Sequence, residues 1–413
     1  MRAPVARFRH PWLSPMPPSE EGARWLRELA AGRRAELPEG GDRFALGDYG
    51  LGLFHHDVSE AAIALAREPD LVEACFGSLL CFLDCASPDG CVHRIELPTK
   101  VRDPEPAKPV IAQLALRVLE GLGEGGLARF EAHRVLPRVL SFLAYLERTH
   151  VGGHGLFLTP SSRASGFDTD LSTANLPERC VEGPDTNAFI VLEYRAAAAL
   201  ARRLGDQAAA GVLDEKAEAL RERMEELLWY EDERGGLYLA LRSRHGTAHL
   251  ADEMVGHRDP DGVLRPIDTW TGLVPLYAGV PSAERASRLA ARALRPEGYL
   301  GPHGIRTAPA DSPFFSQAAR VMLYDPRRGE RSPVSNWTGP VWVLANYYVA
   351  RGLERYGLDG AARDIDSRTL RLLAADLAAT GALHECYDDA GRGLWPKRGS
   401  FLSWNVLALI MDG

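Results

Sequence analysis

The chain predicts an all-α fold, a closed toroid of paired helices of the (α/α)6 type with short β-hairpins in its loops. Three observations predict it. Apolar residues recur at three- and four-residue spacing through most long segments, the mark of amphipathic helices. About a dozen such segments can be counted, which suits pairs of helices closing into a ring. Strand signals are few and short, "GLFLT", "GGLYLALR" and "CVHRIEL", and read as hairpins in loops rather than a central sheet.

Taken in order, helices are expected at "EEGARWLRELAAGRR", "SEAAIALA", "DLVEACFGSLLCFLDC", "PVIAQLALRVLEGL" and "ARFEAHRVLPRVLSFLAYLERT". They continue with "DTNAFIVLEYRAAAALARRLG", "QAAAGVLDEKAEALRERMEELLW", "WTGLVPLYAGV" and "SAERASRLAARAL", and end with "GPVWVLANYYVARGLERYG", "AARDIDSRTLRLLAADLAATG" and "FLSWNVLALIMDG". Asp185 is placed to cap the helix after "EGP". Gly205, Gly357 and Gly381 follow helical runs, where a left-handed C-terminal residue belongs. Between the helices lie long Gly-, Pro- and aromatic-rich loops such as "HVGGHGLFLTPSSRASGFDTD" and "GYLGPHGIRTAPADSPFF". A purely structural bundle prefers short connections, so these loops point to a functional face on a helical scaffold. No linker-like break divides the chain, and residues 1–413 read as one domain.

The 413 residues are 46% hydrophobic and 25% charged, ordinary globular composition, with a formal net charge of −8. Basic residues are scattered, which argues against nucleic acid or an anionic membrane as the main partner and leaves room for a small acidic ligand. The N-terminus lacks the apolar core of a secretory signal and no uncharged run approaches spanning length, so a soluble cytoplasmic protein is expected; a homo-oligomer is compatible with this reading. Six cysteines form no CxxC pair and read as small buried hydrophobes. The histidines show no metal-ligand spacing, and neither metal nor cofactor is expected. "GLGEGG" at residues 121–126 matches a dinucleotide fingerprint but follows a helix instead of a strand, so it reads as a helix-to-helix turn.

Aromatic residues and carboxylates carry more information. "NWTGPVWVLANYY" sets Trp337 and Trp342 around a Gly-Pro helix start, and "FLSWN" adds Trp404. Tryptophan faces beside carboxylates are what a sugar pocket uses. Glycosidic cleavage needs one acid to protonate the leaving oxygen and a second carboxylate to activate water or attack carbon. "SGFDTD" and "ALHECYDDAGRGLW" supply the two candidates, Asp168 and Glu385.

In sequence order these segments resemble glycoside hydrolase family 63 and its clan, which includes the trehalases, with matches from about residue 50 onward. The resemblance implies an (α/α)6 barrel and inversion of configuration. In the clan an "ESGWD"-like segment carries the general acid; here it reads "ASGFD", placing the acid on Asp168. The segment carrying the base reads "ECYDDAGRG", placing it on Glu385. "WTGPVW" matches the segment that lines the sugar site through Trp337 and Trp342, "DTNAFIVLEYRAAAALA" the family's "DLNA" helix, and "FLSWNVLALI" its terminal helix. "GLFHHDVSEAAIAL" matches the segment in which Asp57 would hold sugar hydroxyls. Tyr49, His55, Tyr387 and Trp404 complete the implied sugar site. Ala164, Asn336 and Thr338 depart from the family pattern, and the chain lacks the β-rich domain of larger members. It is similar to compact bacterial hydrolases of mannosylglycerate and glucosylglycerate, and its Ala-, Leu- and Arg-rich composition suits a high-GC bacterium and a thermophile. Glycerate carries a carboxylate, so its subsite needs a cation; Arg179 is the first candidate, followed by Lys108 and Arg163. The competing readings are a sugar epimerase using His245, His249 or His303, and a sugar-binding protein without catalysis.

Overall fold

The computed structural model describes residues 53–96, 105–161, 164–167, 170–173, 179–243, 254–258, 261–317, 321–325, 330–334, 337–395 and 401–412, with short pieces at 27–28, 31, 34–36 and 42–44. Among these are eleven α-helices: α1 (His55–Leu65), α2 (Val72–Asp84), α3 (Ile111–Leu122), α4 (Gly126–Ala132), α5 (Val135–Thr149), α6 (Pro184–Arg203), α7 (Gln207–Leu227), α8 (Val274–Ala278), α9 (Ala283–Ala293), α10 (Val343–Arg355) and α11 (Asp359–Thr380). A 3-10 segment, Ser403–Ile410, closes the chain.

The helices form two layers. α1 packs on α3, α3 on α6, α6 on α8, α8 on α10, α10 on the terminal 3-10 segment, and that segment returns to α1. This closed circuit is the inner ring of the toroid. α2, α5, α7, α9 and α11 cover it from outside. Sequence composition explains the assignment. Every residue of α1 and of α8 is buried. α7 buries one stripe, Ala210, Leu213, Ala217, Leu220 and Met224, alternating steps of three and four as an outer helix with one wet face requires. One cluster of buried apolar side chains takes in residues from all these helices. The strands are two-stranded antiparallel pairs in the connections, such as Trp229–Asp232 with Gly235–Tyr238.

Three expectations are corrected. The run at 128–149 forms two helices, not one: Arg134 is left-handed at φ 52. Pro137 then falls in the first turn of α5, where its missing N–H costs nothing, whereas it would break a continuous helix. "GLFLT" contributes an isolated bridge, Val151 with Phe157, and no strand. Asp185 is not the cap of α6; Gly183 holds that position, Pro184 begins the helix, and Asp185 lies buried in its first turn. The expected helix at 20–34 lies largely outside the described residues. Gly205, Gly357 and Gly381 do take positive φ after α6, α10 and α11, and Gly123–Gly125 is a turn between α3 and α4.

Buried asparagines near the starts of three inner elements hold the incoming loops. Asn187 accepts from Phe157 N–H at 2.7 Å and donates to the carbonyls of Phe157 and Gly183 at 2.9 and 2.8 Å. Asn346 accepts from Ile305 N–H and donates to His303 O and Thr369 Oγ1. Asn405 donates to His384 O and Phe401 O. Each polar group satisfies backbone that would otherwise be buried unpaired. Asn187→Ala is expected to lower the unfolding free energy by about 3 kcal/mol, since it strips three buried hydrogen bonds; a denaturant midpoint unchanged from wild type would contradict this.

Candidate active site

The loops that lead into the N-terminal ends of α1, α3, α6, α8, α10 and the terminal 3-10 segment carry most of the residues named from the sequence. Their aromatic rings form a closed circuit. Phe167 lies 5.0 Å from Trp337, Trp337 stacks on Trp342 at 3.7 Å, Trp342 is 5.5 Å from Trp404, Trp404 is 6.0 Å from His56, and His56 is 5.6 Å from Phe167. Trp270 joins the wall, 4.5 Å from Phe167 and stacked 5.3 Å from Trp337. Trp337 and Trp342 are 1% exposed. Their faces are covered by one another, so they give the wall rigidity, while His56, Asp57 and Trp404 keep slightly more exposed surface.

Two glycines permit this packing. Gly166 has φ 76, and a Cβ there would meet His56 Nδ1 at 2.6 Å. Gly339 has φ 152, and a Cβ would meet the Phe315 ring at 2.8 Å. The Gly339 turn is held from both sides. Its N–H donates to Thr307 Oγ1 at 3.0 Å, Thr307 donates twice to Pro340 O, and Thr338 exchanges bonds with Ser316. Val341 then pairs with Tyr387 through two backbone bonds of 2.8 and 2.9 Å. The Glu385 segment is thereby fixed beside the Trp337–Trp342 segment. Glu385 itself is half-buried, between His384, whose ring bonds Asp376 at 2.8 Å, and Cys386 in the strand that pairs with Gly393–Trp395.

Asp168 and Tyr49 lie outside the described residues, as do Arg163, His245 and His249. Phe167 and Asp170 flank Asp168, and Asp170 N–H donates to Phe167 O at 2.9 Å. Asp57 accepts from Ser403 Oγ at 2.8 Å, tying α1 to the terminal segment. His55 turns away from the circuit toward Phe82 and Ser59; its neighbour His56, one residue along the helix, takes the place at the wall. Tyr387 is fully buried, its hydroxyl accepting from His384 N–H and donating to Asp376, so it anchors the Glu385 strand. Arg179 is exposed and left-handed at φ 51, its N–H bonded to Pro160 O.

Sequence reading named Lys108 only as a reserve cation for glycerate and Asp185 only as a cap; it missed that both lie with Glu60, His56 and Asp170 in a row of buried ionisable groups under the aromatic wall. Lys108 Nζ sits 3.3 Å from the Phe167 ring centre and 4.1 Å from that of Phe189. Burial pulls the amine down to about 7, against the opposing pull of Asp185 and Glu60. Glu60 is 3.4 Å from His56. Burial would raise its carboxyl, but His56 and Lys108 outweigh that and hold it below its ordinary value. His56 is lowered by burial and by Lys108. Asp170 is pushed up to about 7 by burial, with Asp185 adding to the rise and bonds from Ser172 and Thr269 opposing it. Glu60 stands four residues after His56, and Asp170 two after Asp168; helical spacing and the doubled acid of "SGFDTD" were the available signals. No group of three or more His, Cys, Asp or Glu side chains among the described residues is placed to hold a metal ion. A separate cavity of about 280 Å³ lies between Tyr230 and Phe314, with Asp232, Arg234, Arg265 and Asp268 in its lining.

A ring of inner helices whose entry loops gather aromatic rings and a half-buried carboxylate is the framework of a carbohydrate-active (α/α)6 toroid. Residues 87–402 match the family model described as the mannosylglycerate hydrolase MGH1-like glycoside hydrolase domain. This is more than half of the chain, and the chain belongs to that family. A mannosylglycerate hydrolase of Thermus thermophilus is 30% identical over 141 residues, 34% of this chain and 28% of that protein; the aligned part is thus under a third of that relative's length. The crystal structure of a GH63 mannosylglycerate hydrolase from another strain of Thermus thermophilus, in complex with glucose, superposes with a TM-score of 0.71 at 21% identity, covering 94% of this chain and 98% of that one. Its complex with Tris and D-glycerate gives 0.70 at 22% identity over the same shares. The fold is that of these hydrolases. No helix among the described residues is long and apolar enough to cross a membrane.

The Lys108 burial has a testable sign. The unfolded chain keeps this proton up to about 10.4, whereas the folded chain releases it near 7. Below pH 7 the fold therefore carries the full cost of a buried cation, and that cost fades as pH rises toward 10. Relative to Lys108→Met, the wild-type protein is expected to gain thermal stability between pH 7 and pH 10. A difference in melting temperature that is flat, or that runs the other way, would show that the amine is not buried as a cation.

Proposed function

We propose that the protein is an inverting glycoside hydrolase that cleaves 2-O-α-D-mannosyl-D-glycerate to mannose and glycerate as a soluble cytoplasmic enzyme. Asp168 acts as the general acid, giving its proton to the glycosidic oxygen. Glu385 takes a proton from water, which attacks the anomeric carbon from the opposite face. Inversion calls for carboxyl groups roughly 6.5–9.5 Å apart, leaving room for that water. The observation that carries this reading is the backbone pairing of Val341 with Tyr387, which sets the Glu385 segment beside the aromatic wall that includes Phe167, the residue before Asp168. Family membership supports the reaction class, and the Thermus hydrolase crystallised with D-glycerate supports the leaving group.

Asp57 holds sugar hydroxyls from its place against Ser403, and the wall of Trp337, Trp342 and Trp404 shapes the site around the sugar. Arg179, the exposed cation following the acid's loop, takes the glycerate carboxylate; Lys108, beneath two phenylalanine rings, is too enclosed for that task. Glucosylglycerate is the second reading, because the same Thermus hydrolase holds glucose in another of its crystals. The two sugars differ only at C2.

Asp168→Asn and Glu385→Gln are each expected to lower kcat on mannosylglycerate by about 10²–10⁴-fold without loss of fold. Proton NMR of early turnover should show β-mannose first; α-mannose first would overturn inversion. Arg179→Ala should raise KM for mannosylglycerate and leave kcat near the wild-type value, and an unchanged KM would remove its assigned role. Parallel assays on mannosyl- and glucosylglycerate decide between the two substrates.

A further inference from the structure

We propose that the cavity between Tyr230 and Phe314 is a second binding site, separate from the catalytic one, for a single ring of a neutral polyhydroxy compound such as a hexose. The class of ligand follows from the lining alone; mannose as its probe rests on the proposed reaction. The cavity holds about 280 Å³, just under the roughly 300–1,000 Å³ of drug-sized ligand sites, so it suits one ring and not an oligosaccharide. Three segments build it: the hairpin after α7, the stretch before α8 and the turn at Ser312–Phe314. No residue of the aromatic circuit lines it.

Its charged side is rigid. Arg292, 1% exposed, donates to Asp232 Oδ1 at 2.6 Å and to Asp268 Oδ2 at 3.1 Å, and Tyr299 donates to the other oxygen of Asp268. Arg234 lays Nε and Nη2 on Asp232 Oδ2 at 3.1 and 2.7 Å. Burial would raise the Asp232 carboxyl, but Arg292 and Arg234 outweigh that and hold it below its ordinary value. Other polar groups of the lining are unspent. Arg234 Nη1 lies 3.7 Å from Asp268 Oδ2, beyond hydrogen-bond distance, and bonds no other described residue. The Tyr230 hydroxyl has no partner among the described residues. Ser312 Oγ accepts from Phe314 N–H at 3.2 Å and donates to none of them.

Charge decides the class. Asp232, Glu233 and Asp268 share the lining with Arg234 and Arg265, and Arg292 pairs with two of the acids: three carboxylates against three guanidiniums. An anion would meet the carboxylates and a cation the guanidiniums, so neither is favoured. A wholly apolar ligand would strand the unspent polar groups. A neutral ring meets both demands. Its C–H face has the half-buried rings of Tyr230 and Phe314, and its hydroxyls accept from Arg234 and donate to carboxylate lone pairs. Two of the three segments run on into the aromatic wall. Asp268 precedes Thr269 and Trp270, the latter stacked 5.3 Å from Trp337. Phe314 precedes Phe315, against which Gly339 packs. A ring bound here touches the segments that frame the wall without touching the wall itself.

The test is a titration with D-mannose, followed by saturation-transfer NMR, of the full chain as wild type, Tyr230→Ala, Asp57→Ala and the double variant. Under the proposed reaction Asp57→Ala removes a hydroxyl contact from the catalytic site, so the binding it retains reports the second site. Adding Tyr230→Ala is expected to weaken that retained binding by about tenfold. Tyr230→Ala alone should leave kcat and KM on mannosylglycerate within about twofold of wild type. Phe314→Ala, read in the same way, replaces Tyr230→Ala should the latter lower the melting temperature sharply. Retained binding that neither aromatic substitution weakens overturns the proposal, as does loss of all mannose binding in Asp57→Ala. D-glycerate competing with mannose in Asp57→Ala overturns the assignment of a neutral ligand. The readout is binding, so it decides the proposal whether or not the wild-type protein cleaves mannosylglycerate.

Discussion

Val341 gives its backbone to two partners at once, Arg306 on one side and Tyr387 on the other. Everything at the N-terminal face of the inner ring is organised around that double pairing. The residues before it, Trp337 to Pro340, are clamped by Thr307 and Ser316. The residue after it, Trp342, both closes the aromatic wall and precedes α10. Arg306 locks the far side: its guanidinium grips Asp389 at 2.9–3.2 Å and donates to the carbonyls of Pro296, Gly298 and Leu300. A buried arginine with this many acceptors is fixed in place rather than solvated. Three segments far apart in sequence thus share one small antiparallel patch, and Glu385 inherits its position from it.

The second constraint is electrostatic. Glu60, His56, Lys108, Asp185 and Asp170 lie buried along the underside of the wall. Among the described residues, Lys108 Nζ, Glu60 Oε2 and Asp170 Oδ2 have no hydrogen-bond partner, nor do the indole nitrogens of Trp270 and Trp404. Fold stability alone does not favour such groups, because an unpaired buried polar atom costs about 1–3 kcal/mol. Their concentration behind the site, with shifted proton affinities, is the pattern expected where protonation states matter to function. Cation–π contact with Phe167 and Phe189 gives the Lys108 charge partial compensation and in return pins the ring of the residue before Asp168.

Much of the fold was legible in the sequence because helix period and helix punctuation are local. The stripe of α7, the glycines after α6, α10 and α11, and the turn at 123–125 all follow from neighbouring residues. Ring closure does not. Asp57 meets Ser403 across 346 residues, and no periodicity records that contact. The break at Arg134 was hidden because apolar spacing runs on through 128–149, although Pro137 was its visible sign. At the site, Val341 pairs with Tyr387, so the Trp337–Trp342 segment runs beside the Glu385 segment, a contact that helix spacing alone does not give. His55 packs against Phe82 and Ser59 while His56 reaches the wall: adjacent residues on a helix diverge by about 100°, and only packing tells which faces the wall. Asp170 was in plain view beside Asp168, but its burial comes from Thr269 and Asp185, which approach from other elements.

The most direct test of this account is a crystal structure of the Glu385→Gln variant soaked with mannosylglycerate. The account predicts one mannosyl ring between the residue-385 amide and the Asp168 carboxyl, bordered by His56, Asp57 and Trp404, with glycerate toward Arg179. Substrate bound instead in the 280 Å³ cavity between Tyr230 and Phe314, with no sugar at the aromatic wall, would contradict it.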